Sequence, residues 1–241
     1  MSAWTRWIIS CGLILGIAAL APAGGRIKPA PLTRPADLPP ALTHYMGREI
    51  AQTMHYTGAP WLVRESRQRE EDCVTMLKQL DVKPGMIVAD LGCGNGFYTT
   101  KLAKMVGESG IVIGVDIQKE MLAMLRKAAD DEKLTNIVLT LANAVDPKLP
   151  EGKVDLVLVV DTYHEVSNPQ EVLAGVRKSL APHGRMALVE FRAEDPNVPI
   201  KELHKMSKKQ IMKEIPANGF KLVGEFDGLP WQHLMFFERA E

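Results

Sequence analysis

Two groups of residues in this chain have types and spacing suited to chemistry. The first is Asp90-Leu91-Gly92-Cys93-Gly94-Asn95-Gly96, an acid followed by glycines alternating with single residues. Glycine tolerates positive φ and puts no Cβ between main chain and ligand, so the N–H groups of such a turn can face a small polar molecule at a helix start. The second is Asp161-Thr162-Tyr163-His164-Glu165, two acids and an imidazole within one short stretch. His164 is the best candidate for a general base, because an unperturbed histidine titrates near neutral pH; an orienting or capping histidine is the other reading. Asp161 and Glu165 have the chemistry of metal ligands, yet no second acid pair or histidine cluster accompanies them in the sequence, and no metal is expected. Cys93 reads as a small filler of the glycine turn rather than a nucleophile.

Chemistry of this kind needs elements that hold it. An apolar run, Met86 to Ala89, precedes the glycine turn, and Phe97, Leu102, Ala103 and Val106 follow it at helical spacing, which predicts strand, turn and helix. A dinucleotide fingerprint would require a small residue where Phe97 stands, so a nicotinamide or flavin site is disfavoured. A second buried strand, Ile111 to Val115, ends in Asp116, 20 residues after Gly96. That is close to the interval at which α/β nucleoside binders place an acid on the ribose hydroxyls, although Asp116 could also cap the helix from Lys119 to Ala129. Further strands are predicted at Ile137–Leu141, at 156–160 and at 185–191. Asn168 followed by Pro169 reads as a helix cap, and a C-terminal hairpin is predicted around Asp227-Gly228-Leu229-Pro230.

The pattern Asp90-x-Gly92-x-Gly94-x-Gly96 resembles motif I of the class I S-adenosylmethionine-dependent methyltransferases, and the order of the later motifs from Asp81 to Glu238 is similar to that family as well. The resemblance implies an α/β fold: a doubly wound, mostly parallel, seven-stranded sheet with a terminal antiparallel hairpin. It implies S-adenosylmethionine as cofactor, with Asp90 at the methionyl ammonium and Gly92, Cys93, Gly94 and Gly96 beneath the methionine portion. Asp116 would take the ribose, and Ile117, Asn143 and Ala144 would flank the adenine. Many relatives carry an acid where this chain has Asn143, whose side-chain oxygen could accept the same hydrogen bond or simply make a turn. Asp161 would serve cofactor and chemistry, and Asp161 or His164 would attend the methyl acceptor.

Substrate contacts are expected from Tyr163 and from two flanking regions. Residues 42–80 read as a helical lid, in which Trp61 and Arg64 are candidate contacts; the alternative is that the arginines pair with Glu65, Glu70 or Glu71. The basic run after the strand ending at Phe191 offers Arg192, His204 and Lys205 for an anionic acceptor, or a solvated helix capped by Ser207.

Composition narrows the partners. The chain has 241 residues, 46% hydrophobic, with 29 basic and 29 acidic side chains. That balance, and the lack of an Asn-Pro-Pro-Tyr type sequence after the fourth strand, favour a small-molecule acceptor over nucleic acid. Residues 1–23 form a signal-like segment: Arg6, an apolar run from Trp7 to Leu20 shorter than the roughly 20 residues of a bilayer span, then Ala21-Pro22-Ala23. The expectation is an exported or membrane-associated protein, with a cytoplasmic-face anchor as the alternative. Residues 24–41 read as a proline-rich linker, and 81–241 as the methyltransferase domain. A catalytically inactive cofactor-binding module is the other functional reading.

Overall fold

The computed structural model describes residues 38–241, so the signal-like segment and most of the proline-rich linker lie outside the described residues. No helix among the described residues is long and apolar enough to cross a membrane.

The core is a seven-stranded sheet. Strands β3 (Ile87–Leu91), β4 (Ile111–Asp116) and β5 (Ile137–Leu141) run parallel toward one edge, and β6 (Val154–Val160) and β7 (Leu180–Phe191) run parallel on the other side of β3. Beyond β7, β9 (Gln232–Arg239) is antiparallel both to β7 and to β8 (Phe220–Phe226), which forms the far edge. The expected fold and terminal hairpin are both present. Strand order reverses between β3 and β6, and their carboxyl ends open the crevice in which sheets of this type bind ligands.

Alternation along β6 shows how the sheet is sandwiched. Val157 and Val159 face one apolar layer with Leu173, Val176, Ile211 and Phe237, while Leu156, Leu158 and Val160 face the other with Leu77, Leu102 and Phe236. Those layers are supplied on one side by α5 (Pro169–Ser179) and α6 (Lys208–Ala217), and on the other by α2 (Cys73–Gln79) and α3 (Thr99–Val106). Each fully buried aliphatic side chain contributes about 1.5–3 kcal/mol relative to exposure. Met76 is buried within the second layer, and Met121, also buried, lies outside both layers. Asn168 precedes α5 with Pro169 in its first turn, but its side chain does not cap the helix: Nδ2 donates to Pro40 O, tying down the incoming chain.

Residues 43–56 differ from the amphipathic helix expected there. Two short strands, β1 (His44–Tyr45) and β2 (Arg48–Glu49), form a tight hairpin, an extended stretch follows, and Tyr56–Val63 winds as a 3₁₀ helix before α1 (Arg67–Glu71). Met46 and Gly47 adopt positive φ, which interrupts any helix. The physical reason is tertiary. Arg48 Nε and Nη2 donate to the two oxygens of the fully buried Glu214 at 2.7 and 3.2 Å, and Nη1 donates to His164 O at 3.0 Å. Tyr163 Oη (2.8 Å) and Gln210 Nε2 (2.7 Å) donate to the same carboxylate.

Glu214 therefore anchors the N-terminal strap to α6. Removing one partner of a buried, multiply bonded ion pair strands the other charge, so Glu214→Ala is expected to lower stability by ~3 kcal/mol or more. The shift in the urea unfolding midpoint measures it; a change below ~1 kcal/mol would show that the strap is not held this way.

Candidate active site

The carboxyl ends of β3 to β7 open into a cavity of about 490 Å³, within the range of small-molecule sites. Its floor is the glycine turn. Gly92 and Gly94 have φ of +75° and +51°, and a Cβ would lie 2.4 Å from Thr162 at the first and 2.7 Å from Leu62 at the second. Gly92 and Gly94 line the cavity, whereas Cys93 and Gly96 support the turn from behind. The buried Cys93 thiol is pushed well up by burial and by the nearby carboxylates of Asp90 and Asp116, which leaves it unreactive.

Asp116, at the end of β4, reaches into the cavity. Its Oδ2 accepts from Gly94 N–H at 3.0 Å and its Oδ1 from Gln118 N–H at 2.8 Å, so turn and strand end are locked together. Ile117, half exposed, lies on the cavity wall with Asn143 and Ala144. The Asn143 side-chain oxygen accepts from Val145 and Asp146 N–H at 2.9 and 2.8 Å. It is committed to a turn, and is not free for a base.

Two carboxyls flank the glycine turn differently. Asp90 does not line the cavity; it is buried under it and accepts from Thr99 Oγ1 at 2.6 Å. Asp161 does line it. Its backbone is left-handed, with φ +46°, its Oδ2 accepts from Gln232 Nε2 at 2.7 Å, and its buried Oδ1 has no partner among the described residues. Burial, together with Glu71 and Glu190 nearby, pushes this carboxyl well up.

The end of the cavity around His164 is built on residues distant in sequence. His164 is buried; its Nδ1–H donates to Glu190 Oε2 at 2.6 Å, and its backbone N–H donates to Glu190 Oε1 at 3.2 Å. Its other nitrogen, Nε2, lies 3.0 Å from His204 Nδ1. Burial opposes a charge on His164, but Glu190 outweighs it and the pKa is raised; burial and the neighbouring His164 lower that of His204. Glu165 completes the group, its Oε1 lying 3.8 Å from His164 Nε2 and 3.4 Å from His204 Nδ1. The sequence reading held that no histidine cluster accompanies these acids; the loop after β7 supplies one by bringing His204 across.

Other predicted contacts stand elsewhere. Tyr163 is buried and turned toward Glu214. Arg192 donates to the carbonyls of Pro230 and Asp227, and Lys205 pairs with Glu202, so neither lines the cavity. Arg64 pairs with Glu70 and Glu71, the alternative weighed above, and stacks at 3.7 Å on Trp61, which does line the cavity. Ser207 caps α6 by accepting from Gln210 N–H. Sequence reasoning missed Glu71 and Gln118 as wall residues. Arg67, buried and paired with Glu71 at 2.7 Å, also faces the cavity. Gln118 accepts from Tyr56 N–H and donates to Met54 O, pinning the strap over the opening.

Burial holds the Asp90 carboxyl up at about 6, against an ordinary 3.8. The folded protein thus keeps a proton that the unfolded chain has lost, and this group's contribution to stability falls as pH rises between those values and stays lost above them. Asp90→Asn removes the penalty and preserves an acceptor for Thr99. In urea unfolding, the variant is expected to gain up to ~3 kcal/mol on wild type between about pH 4 and about pH 8; a pH-independent difference would contradict the assignment.

A family model described as a methyltransferase domain matches residues 82–234. Demethylmenaquinone methyltransferase of Shouchella clausii is 31% identical over 156 residues, 64% of this chain and 64% of that protein. A ubiquinone/menaquinone biosynthesis C-methyltransferase of Vibrio vulnificus is 31% identical over 139 residues, 56% of this chain and 54% of that protein. The chain therefore spans only about half to two thirds of these relatives. A crystal structure of an S-adenosylmethionine-dependent methyltransferase from Aquifex aeolicus shares the fold, with TM-score 0.72 over 77% of this chain and 98% of that one at 24% identity. A seven-stranded sheet of this order, a glycine turn after β3 with an acid ending the neighbouring β4, and a family match over most of the sheet lead to one conclusion: the chain belongs to the class I S-adenosylmethionine-dependent methyltransferases.

Proposed function

We propose that this protein transfers a methyl group from S-adenosylmethionine to a small, largely apolar acceptor. The residues present suit the cofactor. Side chains are excluded where the glycine turn meets Thr162 and Leu62, and Asp116 offers a carboxylate for vicinal hydroxyls. The observation that carries the reading is Asp161, which lines the cavity and whose buried Oδ1 has no partner among the described residues. An ammonium donor would satisfy it, and would draw its raised pKa back down. Asp161, rather than the enclosed Asp90, is therefore the residue proposed for the methionyl ammonium, with Arg67 for the carboxylate. Ile117, Asn143 and Ala144 form the wall on which the adenine would rest.

When bound, the cofactor supplies an electrophilic methyl on a good leaving group, so the protein has to align the acceptor and manage one proton. Leu62, Phe191, Pro199 and Ile200 give the acceptor an apolar wall, and Trp61 and Met54 roof it from the strap. Glu190 fixes His164, His164 fixes His204, and this chain is proposed to receive the acceptor's proton. Lys201 is the cation at this rim suited to an anionic group. The relatives named for demethylmenaquinone and for ubiquinone and menaquinone biosynthesis make a quinone-type ring a reasonable first acceptor. Residues 1–23 are proposed to act as an export leader or membrane anchor, placing this site near a membrane; fractionation and N-terminal sequencing of the native protein test that.

Calorimetric titration of the purified protein with S-adenosylmethionine is expected to give one site, weakened about 10- to 100-fold by Asp116→Ala through loss of charge-assisted hydrogen bonds. Incubation with demethylmenaquinone and a panel of small phenols should then yield methylated product by mass spectrometry. Binding without product from any acceptor would favour an inactive module, and an unchanged affinity in Asp116→Ala would overturn the cofactor placement.

A further inference from the structure

At the acceptor end of the cavity, His164 Nε2, His204 Nδ1 and Glu165 Oε1 stand 3.0, 3.4 and 3.8 Å from one another. A circle through those three atoms has a radius of about 2.0 Å, the length of a zinc–nitrogen or zinc–oxygen bond (~2.0–2.2 Å). The three groups come from two places, the 3₁₀ turn Tyr163–Glu165 after β6 and the turn Glu202–His204 after β7. We propose that His164, Glu165 and His204 bind a first-row divalent transition-metal ion, with its remaining coordination positions open to the acceptor cavity.

A second feature of the structure points the same way. The far nitrogen of His164 is held at 2.6 Å by the fully buried Glu190 carboxylate, the carboxylate–histidine arrangement that orients metal-ligating imidazoles and raises their basicity. Glu165 is fixed through its other oxygen, which accepts from Met54 N–H at 3.1 Å, leaving Oε1 directed at the histidines. All three ligands line the cavity, so an ion would be reachable from it. Two imidazoles and one carboxylate suit zinc, iron, cobalt, nickel or manganese, and disfavour magnesium and calcium, which take oxygen sets. An ion and a proton are alternative occupants of the space between the two imidazoles, whose facing nitrogens stand 3.0 Å apart. With the ion there, an acceptor oxygen could bind it as an open-position ligand and lose its proton to solvent more readily. This last step rests on the function proposed above; the binding of the ion does not.

Full-length protein freed of metal with a chelator, then titrated with Zn²⁺ against a chromophoric competitor, is expected to bind one equivalent. Mg²⁺ should not compete, and Co²⁺ should give a visible absorption band of bound ion. His204→Ala and Glu165→Gln should each weaken Zn²⁺ at least ~10-fold. His204 is partly exposed on a short turn, so its loss should leave thermal unfolding little changed. His233→Ala, which alters a histidine paired to Glu194 outside the cavity, should leave Zn²⁺ affinity unchanged. No bound equivalent in wild type, or affinity unaltered in both ligand variants, would overturn the site. S-adenosylmethionine titration of the same preparations separates the two proposals: a protein that binds the ion but not the cofactor retains this site and loses the methyl-transfer reading.

Discussion

The site depends on one close approach at the switch point of the sheet. Strands β3 and β6 are neighbours although a helix, two strands and a second helix separate them in sequence, and their carboxyl ends turn toward each other. Gly92 meets Thr162 so closely that a Cβ would stand 2.4 Å from its side chain. That contact sets the floor of the cavity, and it places Asp161, in strained left-handed backbone, on the wall beside the glycine turn. Backbone strain of this kind persists only where the surroundings over-determine it, and here the hydrogen bonds of a parallel sheet on both sides supply that.

The strap and the site hold each other. Glu214 binds Arg48 of the strap and Tyr163 from the turn after β6; Glu165 takes the Met54 amide, and Gln118 takes Tyr56 and Met54. Residues that read as chemistry in the sequence are thus also the fastenings of the strap. Tyr163 and Glu165 sit in one 3₁₀ turn yet serve opposite faces, one the core and one the cavity. Such dual use explains why a largely apolar cavity carries several buried acids: most are bonded, and among the described residues the Asp161 carboxyl keeps an oxygen without a partner.

Much of this was legible in the sequence where the information was local. The glycine turn, the acid ending β4, the apolar run of β6 and the hairpin of β8 and β9 all stand where patterning put them. Resemblance to a family named the cofactor, which the family match supports. What failed was long-range. Met46, Ile50 and Met54 fit helical spacing, but Arg48 has its partner at Glu214, and that contact makes a hairpin of the segment. The basic run after β7 gave no sign that His204 would cross to His164 while Arg192 and Lys205 turned aside to Asp227, Pro230 and Glu202. Asp90 and Asp161 are both acids at strand ends. Only the three-dimensional arrangement shows which is enclosed by Thr99 and which is open.

The central claim is one of direction: cofactor on the Asp116 side, acceptor on the His164–His204 side. A crystal structure with bound S-adenosylhomocysteine tests it most directly. The account predicts the ribose hydroxyls within hydrogen-bonding distance of the Asp116 carboxylate, the ammonium at Asp161 Oδ1, and the sulfur directed toward the imidazole pair. A ligand bound in the reverse sense, or one leaving Asp116 and Asp161 untouched, would contradict it.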